Sequence, residues 1–553
     1  MDKPWLSEYP PGALTEIDPS QYASLVQMYE EACQKYSDCP AFSCHFSALS
    51  YSKMHQLSTQ FAAFLQQELK LVPGDRFAIQ LPNLLQYPVV LFGALQAGLT
   101  AVNLNPLYTA RELEEILQDA EPKALIVLEN FACNVEKAKQ GTTVEHVIVT
   151  SVGELYPFVK KHLVNFVVRH VKRVVPSWSI NNVIWLSDAL NRGSNYTLSP
   201  VAEDANRLAF LQYTGGTTGR PKGVMLSHRN MIANLLQAQT WITQDLREGQ
   251  EVMITALPLY HIFALLANLF LFTMIGGLNV LIPNPRDLKD FLNILSKTSF
   301  TGIAGVNTLY DALLHHKSFQ ELDFSNLRVA IAGGMSLQQK VAEQWQQVTG
   351  LPIVEGYGLS ETSPLVTLNP LKQSGFTGSI GLPVASTEVK ICNEEGEALA
   401  VREIGEICVR GPQVMQGYWR NEKATRATLD AEGWLKTGDI AYFDERGYFY
   451  IVDRLKDIIV VSGFNVYPAE VENIIMELGP VREVAAIGVS SERSGEQIKV
   501  YIVLNEGQSL SEAEVKEHCT KQLTAYKQPK IIEFIEELPK TVVGKVLRRA
   551  LRD

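Results

Sequence analysis

A glycine- and threonine-rich stretch, YTGGTTGRPKG, runs from Tyr213 to Gly223. Its glycines allow backbone N–H groups to turn inward around anionic oxygens. Hydroxyl donors and cations stand at Thr214, Thr217, Thr218, Arg220 and Lys222. The stretch is not a GxxxxGK phosphate loop, because Lys222 follows Pro221 and not a glycine. It predicts a site for phosphate oxygens, with a flexible surface loop as the alternative.

Two further stretches could complete a nucleotide site. In EGYGLSETSP, Ser360 stands beside Glu361, and a carboxylate is the expected ligand of the Mg²⁺ that accompanies ATP. Tyr357 offers a flat ring on which a purine could stack. WLKTGD ends in Asp439, which could accept hydrogen bonds from both ribose hydroxyls. TGD alone is usually a turn, so this third stretch carries weight only beside the other two.

In their order along the chain, these stretches resemble the motifs of the adenylate-forming superfamily, which includes acyl-CoA synthetases, luciferases and peptide-synthetase adenylation domains. More narrowly, the chain resembles bacterial long-chain fatty-acid–CoA ligases. That resemblance also rests on WLSEYPPG, PNLLQYPVVLFGALQAG, NLNPLYTARELE, ALPLYHIFAL, DRLKDIIVVSGFNVYPAEVE and LPKTVVGKVLRR. It implies an enzyme that joins a fatty acid to ATP with loss of pyrophosphate, and then passes the acyl group from the adenylate to coenzyme A.

The resemblance implies ATP- or AMP-binding roles for Thr214, Gly215, Gly216, Thr217, Thr218, Gly334, Tyr357, Gly358, Ser360, Asp439 and Arg454. The loop residues, with Lys222, would hold the β- and γ-phosphates. Ser360 would touch the α-phosphate, where many relatives carry threonine. Glu361 and Thr214 would hold Mg²⁺, the implied cofactor.

The same resemblance divides the rest of the nucleotide between two places. Gly334 and Tyr357 would line the adenine slot, and Asp439 and Arg454 would lie at the ribose.

The implied catalytic residues are Lys222, His261, Glu361 and Lys545. His261 falls where the family places a residue at the carboxylate end of the acyl pocket, although a core histidine is the alternative. Lys545 matches the lysine that reaches the substrate carboxylate and the α-phosphate during adenylation. Without the resemblance, this lysine would look like an ordinary surface cation.

DRLKD, residues 453–457, carries four charges and is a candidate hinge, with a surface turn as the alternative. The resemblance implies that a small domain rotates there between the half-reactions, with its pivot at Lys456. Rotation would bring a coenzyme A tunnel loop into place, formed by Ser462, Gly463, Phe464 and Asn465. The expected domains are 1–452, the hinge 453–457, and 458–553.

A chain of 553 residues is too long for one ordinary core. Short apolar runs such as RFAIQLP, ALIVLEN and RVAIAGG alternate with helix-like stretches such as ARELEEILQDAE. This alternation predicts an α/β fold in which helices cover parallel or mixed sheets. We expect a large multi-lobed N-terminal domain and a small mobile α/β C-terminal domain.

The net charge of −11 argues against general nucleic-acid binding. Seven cysteines without a CxxC pair suit reduced thiols in a cytoplasm. The uncharged stretch 262–285 is expected to be a buried helix and strand, and not a membrane span, because Gly276 and Gly277 interrupt it.

Residues 156–176 carry five lysines and arginines and no acid. At helical spacing Leu163 and Phe166 share one side, and Lys161 and Arg169 share the other. The segment predicts either peripheral contact with the inner face of the cytoplasmic membrane or a helix packed on the domain with a solvated basic face.

A long acyl chain needs an apolar slot, and the candidate walls are 262–272 and 302–307, with Gly302 and Gly305 leaving room. The resemblance also allows a homodimer. Alternatives for the function are a fatty-acyl-AMP ligase without the coenzyme A step, a luciferase-like oxygenase, and a non-catalytic fatty-acid binding or transport protein. A peptide-synthetase adenylation domain is disfavoured, because no carrier domain follows.

Overall fold

The computed structural model describes residues 3–214, 221–242, 246–461, 464–491, 495–541 and 544–552. The α-helices are α1 Leu25–Lys35, α2 Tyr51–Gln67, α3 Gln86–Gln96, α4 Ala110–Ala120, α5 Ala132–Ala138, α6 Phe158–Phe166, α7 Leu186–Gly193, α8 His228–Ile242, α9 Ile262–Ala264, α10 Leu271–Met274, α11 Leu288–Leu295, α12 Asn307–Leu314, α13 Lys317–Gln320, α14 Gln339–Thr349, α15 Glu422–Thr428, α16 Pro468–Met476 and α17 Glu512–Gln522.

The strands are β1 Pro40–Cys44, β2 Ser47–Ser50, β3 Arg76–Gln80, β4 Thr100–Asn103, β5 Ala124–Leu128, β6 His146–Thr150, β7 Ile184–Trp185, β8 Leu208–Thr214, β9 Lys222–Ser227, β10 Val252–Thr255, β11 Leu278–Leu281, β12 Gly302–Gly305, β13 Val329–Ala332, β14 Val354–Gly358, β15 Leu365–Leu368, β16 Leu382–Pro383, β17 Glu388–Cys392, β18 Gly405–Arg410, β19 Gly417–Tyr418, β20 Leu435–Phe443, β21 Phe449–Arg454, β22 Ile459–Val461, β23 Phe464–Val466, β24 Val481–Ser491, β25 Gly495–Leu504 and β26 Ile531–Phe534.

Two large sheets form the N-terminal part. One has the order β19-β9-β8-β4-β3-β5-β6-β7, and the other β16-β15-β14-β13-β12-β10-β11-β1-β2. The inner strands of both sheets pair in parallel, with antiparallel strands at the edges. The predicted α/β class with parallel and mixed sheets is confirmed.

The amphipathic stretch ARELEEILQDAE forms α4, as predicted. A capping box between Thr109 and Glu112 begins this helix, and its buried side consists of Leu113, Ile116, Leu117 and Ala120. Side chains spaced three and four residues apart share one face of a helix. The same spacing therefore explains how the helix covers its sheet.

Two smaller sheets follow in the chain. The order β17-β18-β20-β21 is antiparallel throughout, and the last sheet has the order β23-β22-β25-β24, with β26 beside β25. The apolar runs VAAIGVS and VYIVLNE form β24 and β25, which pair antiparallel, so alternation alone did not fix strand direction here. The buried cores of residues 459–551 are separate from the other cores, as expected of a small domain.

The hinge begins inside a strand. Strand β21 runs to Arg454, and a 3₁₀ turn, Leu455–Asp457, follows it. Asp453 and Asp457 are buried, whereas Lys456 is exposed. The domain boundaries at 452 and 458 stay predictions.

The uncharged stretch after His261 forms α9, a π-helical turn Leu265–Phe270, α10 and β11. The residues of the π-helical turn are all buried. A buried helix and strand is therefore what the structure has here. Within the described ranges, no helix is both long and apolar enough to cross a bilayer.

Segment 156–176 forms α6 and a π-helical turn, Val167–Val171. The packed alternative, with a solvated basic side, is wrong in its orientation. Leu163 and Phe166 point into solvent, whereas Lys161 and Arg169 reach back to buried acids of the domain.

Candidate active site

A cavity of about 980 Å³ opens at the carboxyl ends of β10, β12, β13 and β14. His261 follows β10, Val306 follows β12, Gly334 follows β13, and Tyr357 lies near the end of β14, and all four line the cavity. Ligands of open α/β sheets bind at such carboxyl edges. The predicted residues that line it are Thr214, Lys222, His261, Gly334, Tyr357, Gly358, Ser360, Glu361, Asp439, Arg454, Lys456 and Lys545.

One polar wall of the cavity is built around Asp439. Pairing of β20 with β21 sets Asp439 opposite Arg454, and the Nε of Arg454 lies 3.2 Å from Oδ1 of Asp439. The Tyr357 hydroxyl donates to Oδ2 of Asp439 at 2.7 Å. Burial, followed by the Asp439 charge, raises the pKa of Tyr357. The phenol therefore stays protonated and orients the carboxylate.

A second polar wall lies beside the threonine-rich loop. Thr214 and Lys222 face each other across β8 and β9, at the two ends of that loop. Gly215, Gly216, Thr217 and Thr218 lie outside the described residues. The Lys222 ammonium lies 4.8 Å from the centre of the Tyr418 ring, and the Tyr418 hydroxyl donates to Oε1 of Glu361 at 2.7 Å.

Tyr418 is a cavity residue that sequence reasoning missed. It reaches the cavity because β19 pairs with β9, which sets Tyr418 opposite Val224. The local sequence GYWR matches none of the three nucleotide stretches. Only a tertiary strand pairing reveals its place between Lys222 and Glu361.

Two glycines shape the cavity wall. A Cβ on Gly358 would lie 1.7 Å from the carbonyl oxygen of Pro364, so no side chain fits at that position. Gly334 has a φ of +80°, and a Cβ there would meet nothing within 4 Å. Left-handed backbone of this kind favours glycine. Both glycines thus keep backbone at the cavity surface.

His261 is a neutral histidine. Burial, together with the nearby Lys545 charge, lowers the pKa of His261 to about 4. Its Nδ1 accepts a hydrogen bond from the N–H of Phe263 at 3.3 Å, so the neutral ring carries its proton on Nε2. His261 is therefore a hydrogen-bond donor at the cavity wall, and not a core histidine.

Lys545 reaches the cavity on a tight turn of the C-terminal part. The Thr541 N–H donates to the carbonyl oxygen of Lys545 at 2.7 Å. A Cβ on Gly544 would lie 2.5 Å from Oγ1 of Thr308, so this turn presses closely on the large N-terminal part. Burial, followed by the charge of Arg454, lowers the pKa of Lys545 from 10.5 to about 7.

The predicted coenzyme A loop lies elsewhere. Phe464 does not line the cavity; its side chain is exposed and stacks on Tyr526, with ring centres 4.8 Å apart. Ser462 and Gly463 fall outside the described residues. The structure therefore brings Lys545, but not Phe464, to the cavity.

The other half of the cavity is apolar. The helix after His261 and helix α8 supply most of its wall, through Ala238, Ile242, Ile262, Phe263, Leu266, Ala267 and Leu271. Of the second predicted wall, Val306 lines the cavity. Gly302 and Gly305 leave no room for a chain, since Cβ atoms there would lie 2.9 Å from Met253 and Tyr310 respectively.

The polar walls fit a bound Mg²⁺ of the kind that travels with ATP. No group of three or more His, Cys, Asp or Glu side chains in the described part of the chain is placed to hold a metal ion alone. However, Mg²⁺ is commonly bound by one or two carboxylates together with substrate phosphates and water. Glu361, oriented by Tyr418, supplies one such carboxylate in the cavity.

Comparison with known proteins defines the class. Residues 29–419 match the model of the AMP-binding enzyme family, and residues 470–545 match that of the AMP-binding enzyme C-terminal domain. The chain therefore belongs to the AMP-binding enzyme family.

Individual relatives narrow this class. The chain is 50% identical to the long-chain-fatty-acid–CoA ligase of Escherichia coli O157:H7, covering 100% of this chain and 98% of the relative. The same-named protein of Bacillus subtilis (strain 168) is 38% identical, covering 99% and 97%. The crystal structure of the anthranilate CoA ligase AuaEII in complex with anthranoyl-AMP superposes with a TM-score of 0.84 at 26% identity, covering 97% and 98%.

Proposed function

We propose that this chain is a long-chain fatty acid–CoA ligase that forms AMP. The observation that carries the proposal is a single cavity that joins a polar region at Asp439 and Glu361 to an apolar arm, with Lys545 lying in it. Full-length relatives that are named long-chain-fatty-acid–CoA ligases support the substrate class. The alternatives are a fatty-acyl-AMP ligase and a non-catalytic fatty-acid binding or transport protein.

In the first half-reaction, a carboxylate oxygen of the fatty acid attacks the α-phosphorus of ATP. The bond from this phosphorus to the bridging oxygen of the β-phosphate breaks, which gives acyl-AMP and pyrophosphate. The nucleophile is weak and the phosphorus is surrounded by negative charge, so positioning and charge stabilisation dominate. Lys545 neutralises charge at the carboxylate and the α-phosphate, and Nε2 of neutral His261 donates to the carboxylate.

The nucleotide is held by the two polar walls. Asp439, oriented by Tyr357 and Arg454, accepts hydrogen bonds from the ribose hydroxyls. Lys222 and the threonine-rich loop hold the β- and γ-phosphates, and Ser360 contacts the α-phosphate. Bound Mg²⁺ would be held by Glu361, with Thr214 nearby, and would offset the phosphate charge.

In the second half-reaction, the thiol of coenzyme A attacks the acyl carbonyl carbon, the mixed-anhydride bond breaks, and AMP leaves. Lys545 is not required here, so it can withdraw. Rotation of the C-terminal part about Lys456 would break the hydrogen bond from the N–H of Ala469 to Oδ2 of Asp453, now 2.8 Å long. The same rotation would bring Gly463 and Phe464 to the thiol.

The acyl chain would lie in the apolar arm, between Ala267 and Ala238. Each buried methylene contributes about 0.8 kcal/mol, so affinity should rise with chain length until the arm is full.

We also propose a cytoplasmic enzyme that contacts the inner face of the cytoplasmic membrane peripherally through residues 156–176, because a long-chain fatty acid partitions into lipid. Self-association as a homodimer would need a surface of its own, and it competes with the membrane for the apolar side of this segment.

The test is mass spectrometry of the products formed from ATP, Mg²⁺ and fatty acids of graded length, with and without coenzyme A. We expect acyl-CoA and AMP to accumulate together, most strongly with long chains. Acyl-AMP that persists after coenzyme A is added would instead favour the fatty-acyl-AMP ligase. The absence of any AMP would favour a carrier.

A further inference from the structure

The surface segment 156–176 turns its apolar side chains toward solvent. The outward face consists of Phe158, Val159, Leu163, Phe166, Val171 and Val174, which are 77%, 78%, 61%, 57%, 64% and 50% exposed. Six of the twenty large apolar side chains that are exposed among the described residues therefore fall in this one short segment. Contiguous apolar exposure of this kind marks an interaction site.

The orientation of the segment is fixed by polar contacts on its inner side. Lys161 pairs with Glu154 at 2.7 Å, and Arg169 pairs with Glu129 at 2.9 Å. The side chains of both acids are almost fully buried, at 4% and 3% exposure, and a buried acid that loses its only cation is strongly destabilising. The amide of Asn165 adds a hydrogen bond to Oγ of Ser151 at 2.8 Å.

These contacts decide which side faces out. Turning the apolar side inward would leave both buried acids without their cations. The outward face is therefore held in solvent by the fold itself.

We propose that the outward face inserts into the interfacial layer of an anionic lipid bilayer. The inference rests on the membrane contact in the proposed function, and it names the side chains and their orientation. An amphipathic helix lying in the interface buries its apolar face about 5–10 Å deep at the headgroup boundary. Lys172 and Arg173 are exposed at the end of the segment and suit anionic headgroups.

Charge favours a lipid surface over a second copy of the chain. A two-fold contact would set the segment against itself. Residues 156–176 contain five lysines and arginines and no acid, although the whole chain carries a net charge of −11. Two such segments would bring like charges together, whereas anionic lipid complements them.

The test is flotation with vesicles of phosphatidylcholine that contain about one-third phosphatidylglycerol. We expect the double variant Leu163→Gln/Phe166→Gln to bind these vesicles about tenfold or more weakly. The matched control is Val401→Gln/Ile404→Gln, which changes two apolar side chains that are 40% and 47% exposed on another surface. It should bind like the unaltered chain. Equal binding by both double variants would overturn the proposal.

Two further measurements keep the outcome specific. Lys172→Gln/Arg173→Gln should abolish the preference for anionic over neutral vesicles, and a retained preference would count against the proposal. Light scattering without lipid tests the second copy: a dimer that Leu163→Gln/Phe166→Gln converts to monomer, with vesicle binding unchanged, would overturn the lipid assignment. Acyl-CoA formation from water-soluble octanoate should be equal in all variants, so a failed ligase assay in the unaltered chain would refute the proposed function separately.

Discussion

Replacing Ala267 by phenylalanine should shorten the fatty acid that the enzyme accepts. Ala267 lies on the π-helical turn Leu265–Phe270 and lines the apolar arm of the cavity. The variant adds a six-carbon ring, which would displace about four methylenes of the substrate. At about 0.8 kcal/mol for each methylene, the loss is about 3 kcal/mol, or about two orders of magnitude in affinity.

The assay is kcat/KM for acyl-CoA formation with acids from about eight to about eighteen carbons. Long acids should lose about a hundredfold, whereas the shortest should be unaffected, because they end before the ring. Ala267→Ser, which adds one oxygen atom, is the matched control and should keep the original profile. A uniform loss at every length, or no loss at any length, would refute the placement of the acyl chain in this arm.

Three further predictions concern the polar walls. The pKa of Lys545 is about 7, and adenylation needs its cation, so kcat/KM for adenylation should fall as pH rises through about 7, by about tenfold per pH unit above it. Lys545→Arg keeps its charge and should lose this limb; a limb that persists would belong to another group. Tyr418→Phe removes the hydrogen bond to Glu361, so the Mg²⁺ concentration for half-maximal adenylation should rise about tenfold; an unchanged requirement would separate Tyr418 from the metal. Asp439→Asn should raise the KM for ATP by about tenfold, with the KM for fatty acid unchanged; equal increases in both would contradict a ribose role.

Much of the fold could be predicted from local pattern. Short apolar runs became strands and the amphipathic stretch became α4, because periodicity reports which side of an element is buried. Residues in contiguous motifs, such as Tyr357, Glu361 and Asp439, were located because one short stretch carries each of them. Alternation could not fix strand direction in the C-terminal part, where β24 and β25 form an antiparallel pair.

The remaining features depend on contacts between distant segments. Tyr418 enters the cavity through the pairing of β19 with β9, which no local motif announces. Periodicity separated the two sides of segment 156–176, but pairing with Glu129 and Glu154 decides which side faces out. Gly302 was expected to leave space for a ligand, yet neighbouring core side chains fill that space.

The central claim is that Lys545 serves the first half-reaction from inside the cavity and is dispensable for the second. The most direct measurement compares the two half-reactions in Lys545→Ala, using pyrophosphate release for adenylation and acyl-CoA formation from supplied acyl-AMP for thioester formation. We expect adenylation to fall by about 10²–10³-fold and thioester formation to be unaffected. Equal loss of both half-reactions, or full retention of adenylation, would contradict the account.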